Sequence, residues 1–208
     1  MHSESIFTIM RAAKVVTEIR QEQIAKMALD LVAVHGIKGL TTERIAAAVG
    51  VVPSALYKHF KGKKQIFKAI VRLIIQQSEH ISREIDNGGE DFLQRLYHVY
   101  MAEITRAISS PGIPFIVFSD EMLNSDSEIK SLFCKAHENR FAAIIKLYQA
   151  AQDAGQIRND MSAEALTIHQ FGMVAQIGFL MLHQRGEEQI LKHAEISWKV
   201  FSEMLKVS

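Results

Sequence analysis

Between Pro53 and Arg72 the chain carries six cations, Lys58, Lys61, Lys63, Lys64, Lys68 and Arg72, and no acidic residue. A run of like charge is as often a solvated helix face as a binding surface. Its available chemistry is phosphate contact, which fixes register along a polyanion but reads no sequence. Catalytic patterns are missing: there is no glycine-rich phosphate loop, no Gly-x-Ser-x-Gly and no pair of histidines at helical spacing. Cys134-x-x-His137 is the one metal-like pair, and two ligands do not make a site. These residues predict binding without catalysis: no enzyme, no metal and no cofactor.

The stretch that must position the cations is Thr41–Phe60, TTERIAAAVGVVPSALYKHF. Ile45, Ala46 and Val49 give the first half an apolar face at helical spacing. Thr41 is a good N-cap. Gly50 can take the left-handed conformation that ends a helix and turns the chain. Pro53 suits the first position of a second helix, where its missing N–H costs nothing, and it pushes Val52 out of the helical region. Val51 and Leu56 point back to cover Ile45 and Val49. The reading is a helix-turn-helix over 41–60, whose second helix enters a major groove.

The pattern Gly36, Thr41, Ile45-Ala46, Gly50-Val51, Leu56-Tyr57-x-His59-Phe60 and Lys63 resembles the amino-terminal DNA-binding domain of the TetR family of bacterial transcriptional regulators. It extends upstream through Ile24, Ala28 and Leu31, and so covers about residues 18–77. The resemblance implies an all-α homodimeric repressor whose carboxy-terminal helical domain binds a small molecule and releases DNA. Two positions depart from the pattern. Val52 stands where the family usually has Ser or Thr, so the recognition helix lacks a side-chain cap. Arg44 sits in the first turn of its helix, the wrong end for the macrodipole, and a nearby phosphate would offset that.

Roles within the domain follow from side-chain chemistry. Pro53, Ser54 and Ala55 are small enough to lie against base edges, with apolar contact to thymine methyls. Tyr57, Lys58 and Lys63 are expected at phosphates, and Thr41, Thr42 and Arg44 at the edge of the same interface. His59 either touches the backbone or braces the helix.

Charge divides the chain. Residues 18–77 hold ten Lys/Arg against four Asp/Glu, and residues 78–208 hold twelve against eighteen. A basic front and an acidic back imply that only the front meets a polyanion. Residues 1–17 read as an extension, either a leader or an extra helical turn; its Arg11 and Lys14 are the alternative, as an arm along the minor groove. Its apolar patch is shorter than a signal-peptide core. The lone Cys134 fits a reducing cytoplasm.

Arg20–His35 reads as an amphipathic helix with Ile24, Ala28, Leu31 and Val32 inward. A long helix opening at Lys63 carries the stripe Phe67, Ile70, Ile74, Ile81 and Ile85 to a Gly88-Gly89 stop, and belongs to both domains. Residues 78–208 read as a ligand-binding and dimerisation domain. One helix follows Glu90 and Asp91, Pro111-Gly112-x-Pro114 breaks it, and a shorter helix runs through Phe115, Phe118 and Met122. Ser125-x-x-Glu128 reads as a capping box and Gly155 as a helix stop. Ser162 caps an apolar segment at Phe171–Leu182, twelve residues, too short to cross a bilayer. A helix apolar all round is buried all round, so Gly172 and Gly178 are expected at a partner chain. The spacing of Leu191, Ala194, Trp198, Phe201 and Leu205 is a bundle seam, either intramolecular or, as the resemblance implies, part of a four-helix dimer interface.

The expected effector pocket draws on Tyr100, Met101, Phe118, Met122, Phe141, His169, Met173 and Gln176, although aromatics and methionines here are mostly core by prior. His169 and Gln176 are the polar residues on the apolar helix. The predicted function is a cytoplasmic, homodimeric repressor on a palindromic operator, relieved by a largely apolar small molecule. The rival keeps the fold and works through a protein partner, without a ligand, or as an activator.

Overall fold

The computed structural model describes residues 2–84, 91–183 and 186–207, with 2–16 and 80–84 as backbone only. Every regular element among them is helical. The chain divides into two compact units, Met1–Ile74 and Ile75–Ser208.

The first unit opens with α1, His2–His35, a helix of 34 residues. The stretch expected as an extension is thus helical backbone, one helix with residues 18–35. The reason is local: no proline or glycine interrupts the sequence before Gly36. Gly36 ends the helix at φ 64°, its N–H donating to the Val32 carbonyl at 2.9 Å. The buried face of α1 is Ile24, Ala25, Ala28, Leu29 and Val32, whereas Leu31 is only half-buried. A 3-10 turn, Ile37–Gly39, leads to α2, Thr42–Val49. Thr41 caps α2 by accepting from the Arg44 N–H at 3.2 Å. Gly50 closes it at φ 74°, and the Val51 N–H reaches back to the Ala46 carbonyl at 2.9 Å. This wrap satisfies end carbonyls that the helix leaves open.

Helix α3, Pro53–Leu56, has Pro53 in its first turn and no side-chain cap from Val52. It is shorter than two helical turns. The chain continues in a tighter turn, with Lys58 N–H to the Ala55 carbonyl at 3.3 Å and His59 N–H to the Leu56 carbonyl at 2.9 Å. Gly62, at φ 125°, then releases it into α4, Lys63–Glu84. Ile45 and Ala46 from α2, Leu56 and Phe60 from the α3 segment, and Ile66, Ile70 and Val71 from α4 are all buried. Phe67 is half-buried, so Ile66 takes the inward place expected for it. The expected Ile81 side chain, the apolar patch with Arg11 and Lys14, and Ile85, Gly88-Gly89 and Glu90 lie outside the described side chains or residues.

The second unit is built on α5 (Phe92–Ser109), α8 (Ser127–Asp153), α9 (Ala163–Leu182) and α10 (Glu187–Met204). Each of these helices packs on the others except that α8 and α10 are not close neighbours, so α5 and α9 form the middle of the bundle. Its core holds Leu96, Tyr100 and Ile104 from α5, Ile144, Leu147 and Tyr148 from α8, Leu166 and Ile177 from α9, and Ala194, Trp198 and Phe201 from α10. Between α5 and α8 the chain makes two short helices, α6 (Gly112–Val117) and α7 (Asp120–Leu123), where one was expected through Phe118. Ser119 separates them: its hydroxyl donates to the Ile116 carbonyl and accepts from the Met122 N–H.

The expected capping box at Ser125 is not formed. Asp126 caps α8, accepting from the Ile129 N–H at 3.0 Å, while the Ser125 hydroxyl turns back to the Met122 carbonyl. A carboxylate suits the positive end of the helix dipole better than a hydroxyl does. Ser162 caps α9 as expected. Helix α9 is 20 residues long, so by length and composition it could cross a bilayer, and the shorter span read from the sequence is corrected. In this fold it packs against α5, α6, α8 and α10.

Candidate nucleic-acid interface and effector domain

On the first unit the turn between α2 and α4 is presented outward. Pro53, Ser54, Tyr57 and Lys58 are exposed, Ala55 is half-buried, and Lys61 and Lys63 are exposed where α4 begins. Tyr57 keeps 57% of its surface in solvent. An aromatic ring held out beside lysines has an apolar body and a polar tip for a sugar-phosphate edge. Leu56 and Phe60 are the buried residues that fix this turn from beneath.

The other expected DNA residues divide. Thr41 is committed to capping α2. Thr42 is buried, its hydroxyl donating to Glu43 Oε1 at 3.2 Å. Arg44 is exposed, yet its Nη1 donates to the Gly39 carbonyl at 2.9 Å. The unfavourable charge at the start of α2 is therefore offset inside the domain by the end of the 3-10 turn. His59 has both features of a brace: a half-buried ring, and a carbonyl that accepts from Gln21 Nε2 of α1 at 2.8 Å. Glu43 is an acid close to the lysines. Its own backbone N–H, then the Thr41 and Thr42 hydroxyls, hold its carboxyl below the usual range, with Lys63 adding a smaller attraction.

In the second unit the expected pocket residues scatter. Tyr100 is fully buried, stacked on Trp198 with centroids 5.5 Å apart, and donates to the Ala194 carbonyl at 3.2 Å. Burial is the main reason its phenol is pushed up to about 12. Met122 is buried; Met101, Phe141 and Met173 are half-buried; Phe118, His169 and Gln176 are exposed. His169 lies against the Phe201 ring at 4.8 Å. The buried polar residues of α9 are instead Thr167 and Gln170. Gln170 accepts from the Tyr148 hydroxyl at 2.5 Å, and burial pushes that phenol well above its ordinary value.

Sequence reading missed the charged cluster in this unit. Glu103 of α5 is buried, with Arg106 Nη2 donating at 2.9 Å and Arg140 Nη1 of α8 at 2.8 Å. The same Arg140 Nη1 donates to Ser78 Oγ of α4 at 2.7 Å, and the Arg140 guanidinium lies 4.9 Å from the Phe171 ring centroid. Burial pushes the Arg140 guanidinium below its ordinary value, and Glu103 opposes that shift. Arg106 Nε and Nη1 and Arg140 Nε are buried with no acceptor among the described residues. Each such group carries a desolvation cost of about 1–3 kcal/mol. The available signal was Glu103 and Arg106 three apart on a helix face otherwise made of Tyr100 and Ile104. Among the described residues no group of acids, histidines or cysteine has the makings of a metal site.

The expected dimer residues are placed with equal clarity. Ala194, Trp198, Phe201 and Leu205 are buried within the single chain, and Leu191 is half-buried. Gly178 faces its own chain, since a Cβ there would lie 3.1 Å from Phe118 Cε2. The α10 seam is therefore intramolecular. Only Gly172 of this set lies on open surface. It belongs to a different stripe, Ile168, Gly172, Ala175 and Phe179, which stays exposed on α9 beside exposed Ile196, Val200 and Met204 on α10.

Fold and site together define a helix-turn-helix protein with a second, helical unit behind it. Residues 24–70 match the family model described as bacterial regulatory proteins, tetR family. Nucleoid occlusion factor SlmA from Photobacterium profundum is 29% identical over 116 residues, 55% of this chain and 59% of that protein, so the match spans less than two thirds of the relative's length. SlmA from Actinobacillus pleuropneumoniae is 27% identical over 147 residues, 67% of this chain and 71% of the relative. Among solved structures, the ketosteroid transcriptional regulator KstR2 of Mycobacterium tuberculosis has a TM-score of 0.75 at 15% identity, over 91% of this chain and 96% of that one. FadR from Bacillus subtilis in complex with stearoyl-CoA has a TM-score of 0.68 at 16% identity, over 88% and 98%. The amino-terminal unit is thus similar to the DNA-binding unit of the tetR family over residues 24–70, and the whole chain shares its fold with these solved regulators.

Proposed function

We propose that this protein is a cytoplasmic, homodimeric repressor that binds a palindromic operator and leaves it when a largely apolar small molecule occupies the second unit. The observation that carries the reading is the outward turn Pro53–Lys58 with Lys61 and Lys63 beside it, inside the segment that matches the family model. Pro53, Ser54 and Ala55 meet base edges; Tyr57, Lys58 and Lys63 meet phosphates. One short recognition helix makes few base contacts. Two, held roughly 34–36 Å apart, read one face of a duplex.

The apolar surface of the second unit supports the dimer. Only 22% of the most apolar window of α9 is buried inside the chain. Contiguous apolar stripes of this kind mark association surfaces, and here they lie on α9 and α10. For the ligand, KstR2 is named for ketosteroids and FadR was solved with stearoyl-CoA, whose steroid skeleton and acyl chain are apolar, and the half-buried Met101, Phe141 and Met173 offer apolar walls of that kind. Release follows from linkage: a ligand that favours one arrangement of α4 weakens DNA binding by the factor with which DNA weakens the ligand. No catalytic step is involved.

Selection of bound duplexes from a random pool tests the reading. A palindromic consensus with half-sites one helical turn apart is the expected result. Recovery of no preferred sequence at low ionic strength would overturn it.

A further inference from the structure

The geometry points to an anion-binding subsite formed by Arg106 and Arg140 in the second unit, holding the carboxylate or phosphate headgroup of an amphipathic effector; it rests on the proposed apolar effector. Two guanidinium groups share one buried carboxylate, Glu103, so among the described residues the cluster keeps a positive charge after its ion pairs are made. Both arginine side chains retain only 16% of their surface, while Glu103 retains 5%. Three donor groups, Arg106 Nε and Nη1 and Arg140 Nε, have no acceptor among the described residues. A buried positive charge with unfilled donors is chemically matched to an oxyanion.

The neighbouring surface is apolar. Arg140 lies over Phe171, which in turn stands 5.4 Å from Phe141 and 5.0 Å from the His137 ring. Charged head and apolar tail thus find adjacent places, with Glu103 orienting the two guanidinium groups. Arg140 Nη1 also holds Ser78 of α4, and α4 runs from Lys63 to Glu84 through both units. An anion that draws on Arg140 therefore competes for a side chain that binds α4.

The test uses the full chain and three probes of equal length: decanoate, decyl phosphate and decan-1-ol, titrated by the fluorescence of the single tryptophan. At least one anion is expected to bind roughly tenfold more tightly than the alcohol, the size of one or two charge-assisted hydrogen bonds; which anion does so separates carboxylate from phosphate. Arg106→Gln should bring both anions to the alcohol's level and leave the alcohol's affinity as it was. Arg140→Gln, which leaves Arg106 neutralised by Glu103, should do the same and serves if Arg106→Gln folds poorly by circular dichroism. Equal affinities for all three probes, or a variant that weakens all three alike, would overturn the subsite. If none of the probes binds, the apolar-effector reading fails, and sulfate decides the arginines alone. A rise in thermal midpoint in sodium sulfate over sodium chloride at equal ionic strength, lost in Arg106→Gln, upholds the anion subsite; the same response in both proteins overturns it.

Discussion

Tyr100 shows how much one residue's meaning depends on its surroundings. By type it qualified for a ligand pocket, with an aromatic face and a hydroxyl. In the fold it is sealed between Trp198 and the Ala194 carbonyl. With its folded pKa raised to about 12, against about 10 in the unfolded chain, the neutral phenol favours folding. Its contribution is complete below about pH 10 and is lost as pH rises toward about 12, at most roughly 2–3 kcal/mol. Denaturant titrations between those values should show falling stability with a shallower slope in Tyr100→Phe. An identical slope in that variant would mean that other groups carry the alkaline transition. Arg44 makes the same point on the first unit. Its charge suggested a phosphate, and the Gly39 carbonyl already takes one of its donors.

At the scale of elements, the first unit follows its sequence closely because its signals are local. Thr41, Gly50 and Pro53 each act on the backbone within a few residues, and each does in the structure what its chemistry requires. The start of α4 carries the clearest test of the interface. Lys63 is exposed there, close enough to Glu43 to attract its carboxylate. Lys63→Ala should weaken binding to all DNA sequences alike and reduce the slope of log affinity against log salt by about one. An unchanged slope removes Lys63 from the phosphate contacts. Asp126 and α9 mark where local reading stopped. Ser125 and Asp126 compete for one helix end, and the winner depends on where the preceding α7 delivers the chain.

At the scale of the molecule, periodicity marked the last two helices as packing elements but did not say which face meets what. The seam Leu191, Ala194, Trp198, Phe201 and Leu205 closes the subunit's own core. The uncovered residues are Ile168, Phe179, Ile196 and Val200, each more than half exposed. Val200→Asp changes a surface residue and leaves that core alone, so the folded subunit should persist with its helical circular dichroism. The expected result is a monomer by sedimentation and a loss of operator affinity of about tenfold or more, because two linked reading heads become one. A dimer of unchanged strength would place the interface elsewhere.

The sequence by itself determined the helix-turn-helix, the basic turn and the all-helical class, since caps, a left-handed glycine, a proline and a charge run act through neighbours in the chain. Only the tertiary structure decided which apolar stripe of α10 is core, and which polar groups of the second unit are buried together. Glu103, Arg140 and Ser78 come from three separate helices. Their meeting is set by how those helices pack, and spacing along one chain does not encode it.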